Sequence, residues 1–93
     1  MQPMRKGNFM EHNLIMCRSL TYAQRALRTL ERAGVSAVLL KVPQAISHTG
    51  CSYGLRVSAR YLGVCLRLLN ENHNPYGKVF RYETDGTLTE VDI

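Results

Sequence analysis

The stretch Ser47-His48-Thr49-Gly50-Cys51-Ser52-Tyr53-Gly54 holds a cysteine with little apolar company. A thiol flanked by small and flexible residues is placed to react rather than to pack, provided its surroundings lower its pKa from a reference of about 8.5. His48, three residues upstream, would suit either of two further chemistries. It could act as the base of a Cys–His nucleophile pair or supply half of a metal site. No third or fourth ligand follows at a matching spacing, so no metal is expected. The plainer alternative is a loop cysteine with no task.

The remaining cysteines read differently. Cys17 adjoins Ile15 and Met16 in an apolar run, and Cys65 shares a helical face with Leu62 and Leu69. Both are expected in the core. Three cysteines, with no C-x-x-C pair and no export signal, do not make a disulfide framework. No glycine-rich phosphate loop is present and no Ser-His-Asp set can be read from residue order, so no cofactor is expected.

The net charge is +5, and arginine supplies nine of the twelve cations. Arg18, Arg25, Arg28, Arg32, Arg56, Arg60 and Arg67 lie early, whereas Glu83, Asp85, Glu90 and Asp92 close the chain. A basic surface draws anions of many kinds. Arg18 and Arg56 are candidates to steer one toward Cys51; the competing reading is ordinary solvated charge.

The elements that must position these residues follow from periodicity. His12–Ser19 reads as a strand. Thr21 and Gln24 form a capping box, and Ala23, Ala26, Leu27, Leu30 and Ala33 recur at helical spacing up to the stop at Gly34, which predicts a helix over Tyr22–Ala33. Arg25, Arg28, Glu31 and Arg32 take its outer face. Val35–Val42 is a second strand, ended by Pro43. After a loop, Gly54–Ser58 is a third strand. Ser58 is placed to cap a second helix, Ala59 to about Asn72. The run Asn70–Gly77 breaks that helix, and a hairpin with a type I′ turn at Asp85-Gly86 closes the chain.

The order β-α-β-β-α-β is the split βαβ, so the expected fold is α+β: a ferredoxin-like two-layer sandwich with an extra C-terminal strand. In that fold the first two strands run the same way. The loop after the second then lies at the end of the sheet where the first helix begins. Cys51 should therefore face Arg18, Ser19 and Thr21, beside free amides and the positive end of the helix dipole. A thiolate is an anion, and such a site lowers its pKa. Gly50 and Gly54 would let the loop bend and present further amides, with Ser52 beside the thiol. The negative end of the second helix, at the same side, opposes this.

Ninety-three residues make one domain, 12–93, behind a flexible tail, 1–11. A chain this short buries only roughly 60–65% of its unfolded surface. No run approaches the length of a membrane span, and the N-terminus lacks the apolar stretch of a secretory signal, so the expected location is cytoplasmic, with no membrane partner. Nucleic acid is not an expected partner either, because the central strands lack the stacking aromatics that a ferredoxin-like sheet uses for RNA.

The stretch Arg18–Ser58 resembles a family of small bacterial proteins, first grouped as a domain of unknown function and then described as selenium/sulfur carrier-like. The marks are Ser19 and Thr21, Ala33-Gly34, Val42-Pro43, Ile46-Ser47, Cys51 and Gly54 in that order. The likeness runs from about Ile15 to Leu69. Family members commonly place glycine directly after the cysteine; here Ser52 and Tyr53 intervene.

The resemblance implies a sulfur or selenium carrier. Cys51 would hold the chalcogen as a persulfide or its selenium equivalent, between donor and acceptor proteins. Such a protein is a carrier rather than a stand-alone enzyme, and a single accessible thiol suits it, with Cys17 and Cys65 out of reach. Two other readings compete. A ligand-binding or interaction module of the same fold, homodimeric through its sheet, would be indifferent to Cys51→Ser. A nucleic-acid binder using the arginines of the first helix would bind with strong salt dependence.

Overall fold

His12–Cys17 forms the central strand, β1, and its residues are covered on both sides: Leu14 is 1% exposed and Ile15 0%. The computed structural model describes residues 11–42, 53–83 and 85–91. After β1 come helix α1 (Leu20–Arg32), strand β2 (Ala37–Lys41) and strand β3 (Tyr53–Ser58). A 3-10 turn (Ala59–Tyr61) leads into helix α2 (Leu62–Glu71), and strands β4 (Val79–Tyr82) and β5 (Leu88–Val91) follow. The sheet order is β2-β3-β1-β4-β5, with every neighbouring pair antiparallel. Strands β1 and β2 therefore run parallel, as a split βαβ requires. The fold is α+β and ferredoxin-like, with β5 added beyond β4.

Alternation along β1 assigns the two faces of the sheet. Ile15 and Cys17 point to the helices and join Ala23, Ala26, Leu30, Leu55, Val57, Cys65, Leu69 and Val79 in the main core. The small Ala23 and Ala26, three residues apart, let α1 lie close on the sheet. Leu14 and Met16 point the other way, into a second apolar cluster with Val42, Leu40, Phe80, Tyr82 and Leu88.

Several local expectations change. Helix α1 starts at Leu20, not Tyr22, because Ser19 is the N-cap: its hydroxyl accepts the Tyr22 N–H at 3.3 Å. Thr21 thus lies inside the first turn, and the Thr21/Gln24 capping box does not form. Ala33 is the C-cap and is exposed. Ser58 makes no capping hydrogen bond; the chain enters α2 through the 3-10 turn instead. The last hairpin is real, but its turn is not type I′. Glu83 N–H donates to Thr87 O at 2.8 Å and Gly86 N–H to Glu83 O at 3.0 Å, leaving a three-residue connection in which Gly86 takes φ 89°. A left-handed glycine closing a three-residue loop is the next most common hairpin solution.

Both helices end on a left-handed residue in a Schellman arrangement. After α1, Gly34 (φ 81°) and Val35 donate to Glu31 O and Leu30 O at 3.0 Å each. After α2, His73 (φ 58°) and Asn74 donate to Asn70 O at 3.2 Å and Leu69 O at 2.8 Å. The Asn74 side chain, buried, also donates to Thr29 Oγ1 at 2.7 Å and so ties this turn to α1.

Candidate functional site

The end of β1 is where the ends of β2 and β3 also meet. Cys17, the last residue of β1, pairs with Tyr53, the first of β3, and Tyr53 pairs in turn with Lys41, the last of β2. Three strand ends therefore meet at one side of the sheet. Arg18, Ser19 and Thr21 follow Cys17 directly, so the start of α1 lies at this same side. Residues 43–52, with Gly50, Cys51, Ser52 and His48 among them, lie outside the described residues, as does the tail apart from Glu11, whose carbonyl accepts Ala59 N–H at 2.9 Å.

Ser19 sits in extended backbone (φ −157°, ψ 172°) and satisfies the Tyr22 amide. The amides of Leu20 and Thr21 belong to the first turn, where a helix has no internal acceptors to offer. No acidic residue occupies that turn, so nothing in it neutralises the positive end of the helix dipole. Arg18 and Thr21 are exposed beside it. Arg18, Ser19 and Thr21 thus form one contiguous cationic and amide-rich corner.

Two expected contributors are placed differently. Gly54 is not a loop hinge: it lies inside β3, pairs with Met16 and Leu40, and makes room for Leu14. Arg56 lies mid-strand, opposite Leu14 and Val38, on the face away from the helices. It is three residues into β3 from Tyr53, about 10 Å along the strand, and does not share the corner. The cation that does share it is Lys41, exposed, opposite Tyr53 on the helix-bearing face. Its position as the last residue before Val42-Pro43 was the sequence signal for it.

Cys17 and Cys65 are each 0% exposed, as expected of core residues. Burial pushes the Cys65 thiol up, a backbone hydrogen bond opposing it only in part. Cys17 Sγ contacts Ile15 O at 3.8 Å. Neither thiol is accessible to a partner protein. Among the described residues, no group of three or more His, Cys, Asp or Glu side chains is placed to hold a metal ion, and no helix is long and apolar enough to cross a membrane.

Against known families, the model described as "Putative Se/S carrier protein-like" matches residues 12–81, from the start of β1 to the middle of β4. The chain belongs to that family. No curated protein and no solved structure was found to match it.

Proposed function

We propose that this Se/S carrier-like protein carries sulfur or selenium on Cys51. The reading is supported chiefly by one observation, the pairing of Tyr53 with both Cys17 and Lys41. Two residues of chain span at most about 7 Å. Cys51 lies two residues ahead of Tyr53 in the sequence, and the proposed source of positive potential for it is the strand-end group of Arg18, Lys41 and the Ser19-capped helix start. That potential favours thiolate over thiol.

The transfer is redox-neutral. The Cys51 thiolate attacks the outer sulfur of a donor persulfide; the new S–S bond at Cys51 forms as the donor's S–S bond breaks, and the donor leaves as a thiolate. An acceptor thiolate then attacks the outer sulfur on Cys51, taking it as its own persulfide and releasing the Cys51 thiolate. With selenium, the outer atom is selenium and the balance is unchanged. Gly50, Ser52, Gly54, Arg18, Ser19 and Thr21 make up the proposed surroundings, Gly54 as strand support. Donor and acceptor proteins are the proposed partners. No step needs a base on the carrier, a cofactor or a metal.

The test is alkylation of the folded chain across pH, read by intact mass, with Cys51→Ser as control. The expected result is one adduct in the folded state, an apparent pKa below about 8.5, and a single added sulfur or selenium after exposure to a donor, all lost in the variant. An ordinary pKa with no chalcogen adduct would overturn the reading in favour of a binding module.

A further inference from the structure

We infer that β2 pairs edge to edge with β2 of a second copy, in a twofold homodimer. β2 and β5 are the two edges of the sheet. An edge strand leaves a row of backbone N–H and C=O groups unpaired, and proteins blunt such edges with charges, proline or a bulge. β5 is blunted, since Thr89 and Glu90 are half of its four residues and both are exposed. β2 is not. Ala37-Val38-Leu39-Leu40 carries neither charge nor proline, and its register with β3 advances one for one, without a bulge. Among the described residues, no backbone hydrogen bond from a loop or turn reaches it. Val38, at its middle, is 45% exposed, so nothing in the chain covers the strand there. The same edge includes one side of α1, which rests chiefly on β2 and β3. Thr29, bonded to Asn74, marks the side of α1 toward the turn after α2. Leu27 and Glu31 lie two residues either way, about 200° round, and so face the β2 edge. Leu20, seven residues before Leu27, shares that side and is 38% exposed.

The sequence of β2 is complementary to its own reverse. A twofold axis perpendicular to the sheet at Leu39 makes the two strands antiparallel, keeps the helices of both copies on one side and pairs all five residues. Leu39 then faces Leu39, Val38 faces Leu40 of the other copy, and Ala37 faces Lys41 of the other copy. Directly opposite residues share a face, so Leu40 of one copy covers the exposed Val38 of the other. About four to six backbone hydrogen bonds form across the axis. Lys41 decides the direction. Parallel pairing in register would set Lys41 against Lys41. The antiparallel pair instead carries each Lys41, on the helix-bearing face, to the Ala37 end of the other copy. There the last turn of α1 presents its free carbonyls, the negative end of its dipole and exposed Glu31. Neither Lys41 nor Glu31 belongs to an ion pair among the described residues of its own chain. Unblunted edge, exposed Val38 and Leu20, and this charge match select a second copy as the occupant, and the contact is isologous.

The inference does not involve Cys51 and stands or falls apart from the carrier reading. Its test is sedimentation velocity on the full chain under reducing conditions, so that thiol cross-links do not contribute. The wild type should sediment as a dimer. Val38→Glu buries a carboxylate against Leu40 of the other copy and should weaken association by roughly tenfold or more. In the monomer the new carboxylate lies beside Arg56, its neighbour on β3, and is tolerated. Lys41→Glu and Glu31→Lys should each weaken association by roughly threefold or more, and the double variant should restore it. Within one chain Lys41 sits beside the start of α1 and Glu31 in its last turn, about 16 Å away along the helix, so an internal pair cannot produce the rescue. All three positions are exposed, so the variants should keep the wild-type circular dichroism spectrum. Hydrogen exchange locates the contact: protection of the amides of residues 37–41 should rise with protein concentration. A monomeric wild type overturns the proposal. So does a dimer insensitive to Val38→Glu, a charge swap that fails to restore association, or protection of residues 37–41 that does not change with concentration.

Discussion

Gly54 lies directly beneath Leu14. A Cβ at residue 54 would stand 2.9 Å from Leu14 Cδ1 and 3.1 Å from the Ile15 carbonyl oxygen. The first contact could yield by a side-chain shift; the second is backbone in the neighbouring strand and cannot move without disturbing the β1–β3 ladder. Gly54→Ala should therefore cost about 1–3 kcal/mol, the usual penalty of overpacking. At Gly63, within α2, an added Cβ would meet nothing within 4 Å, and Gly63→Ala should stabilise by about 1 kcal/mol. Urea titration of both variants checks the pair; equal stability of Gly54→Ala and wild type would remove the steric account.

Ser19 and Thr21 separate cleanly by mutation. Ser19→Ala removes the acceptor of the Tyr22 amide and should destabilise by about 1 kcal/mol. Thr21→Ala should stay within about 0.5 kcal/mol, because its exposed side chain caps nothing. Thermal melts of the two variants make the comparison, and a larger loss at Thr21 would reassign the cap.

The two Schellman ends differ in their left-handed residue. Gly34 has open space around it, so Gly34→Ala reports backbone strain alone and should cost about 1 kcal/mol. His73 already bears such strain at φ 58°. His73→Gly should therefore stabilise, by up to about 1 kcal/mol after the added freedom of the unfolded chain is subtracted. Denaturant midpoints at fixed pH measure both; a destabilised His73→Gly would mean that the imidazole contributes more than its backbone costs.

The β4–β5 hairpin should loosen in acid. A hydrogen bond from Thr89, then one from Arg81, holds the Glu83 carboxyl below its usual range. Hydrogen bonds from the Thr87 amide and hydroxyl do the same for Asp85. A carboxylate whose folded pKa is depressed contributes its stability in full above the unfolded pKa and loses it as pH falls through the folded one. The hairpin contribution is therefore complete at neutral pH and declines below the ordinary carboxylate range. Side-chain carboxyl shifts followed by NMR should titrate below free-peptide values. Thr87→Val should raise the Asp85 midpoint, and an unchanged midpoint would exclude the hydroxyl as a cause.

Much of the architecture is legible in the residue pattern, since it rests on short-range signals. The Ala23/Ala26/Leu30 stripe, the break after Asn70 and the Asp85-Gly86 turn each announce an element, and their order implies the parallel β1 and β2. The expectations that failed concern which of two adjacent groups wins. Ser19 and Thr21 both suit an N-cap, and the downstream Gln24 favours the wrong one; Gly54 resembles a loop residue because the reason for it, Leu14, lies forty positions away. At the candidate site, the corner of Arg18, Ser19 and Thr21 follows from topology, whereas Lys41 in place of Arg56 required knowing how β2 and β3 align.

The sheet order also bears on how the chain is made. The first partner of β1 is β3, and Tyr53 follows Cys17 by thirty-six positions. At roughly 5–20 residues per second, synthesis of that interval takes about 2–7 s. Throughout it, Leu14, Ile15, Met16 and Cys17 have left the ribosome's control in sequence order yet lack both of the strands that will flank them. The most deeply buried of the described strands is thus made ahead of both its neighbours and paired late.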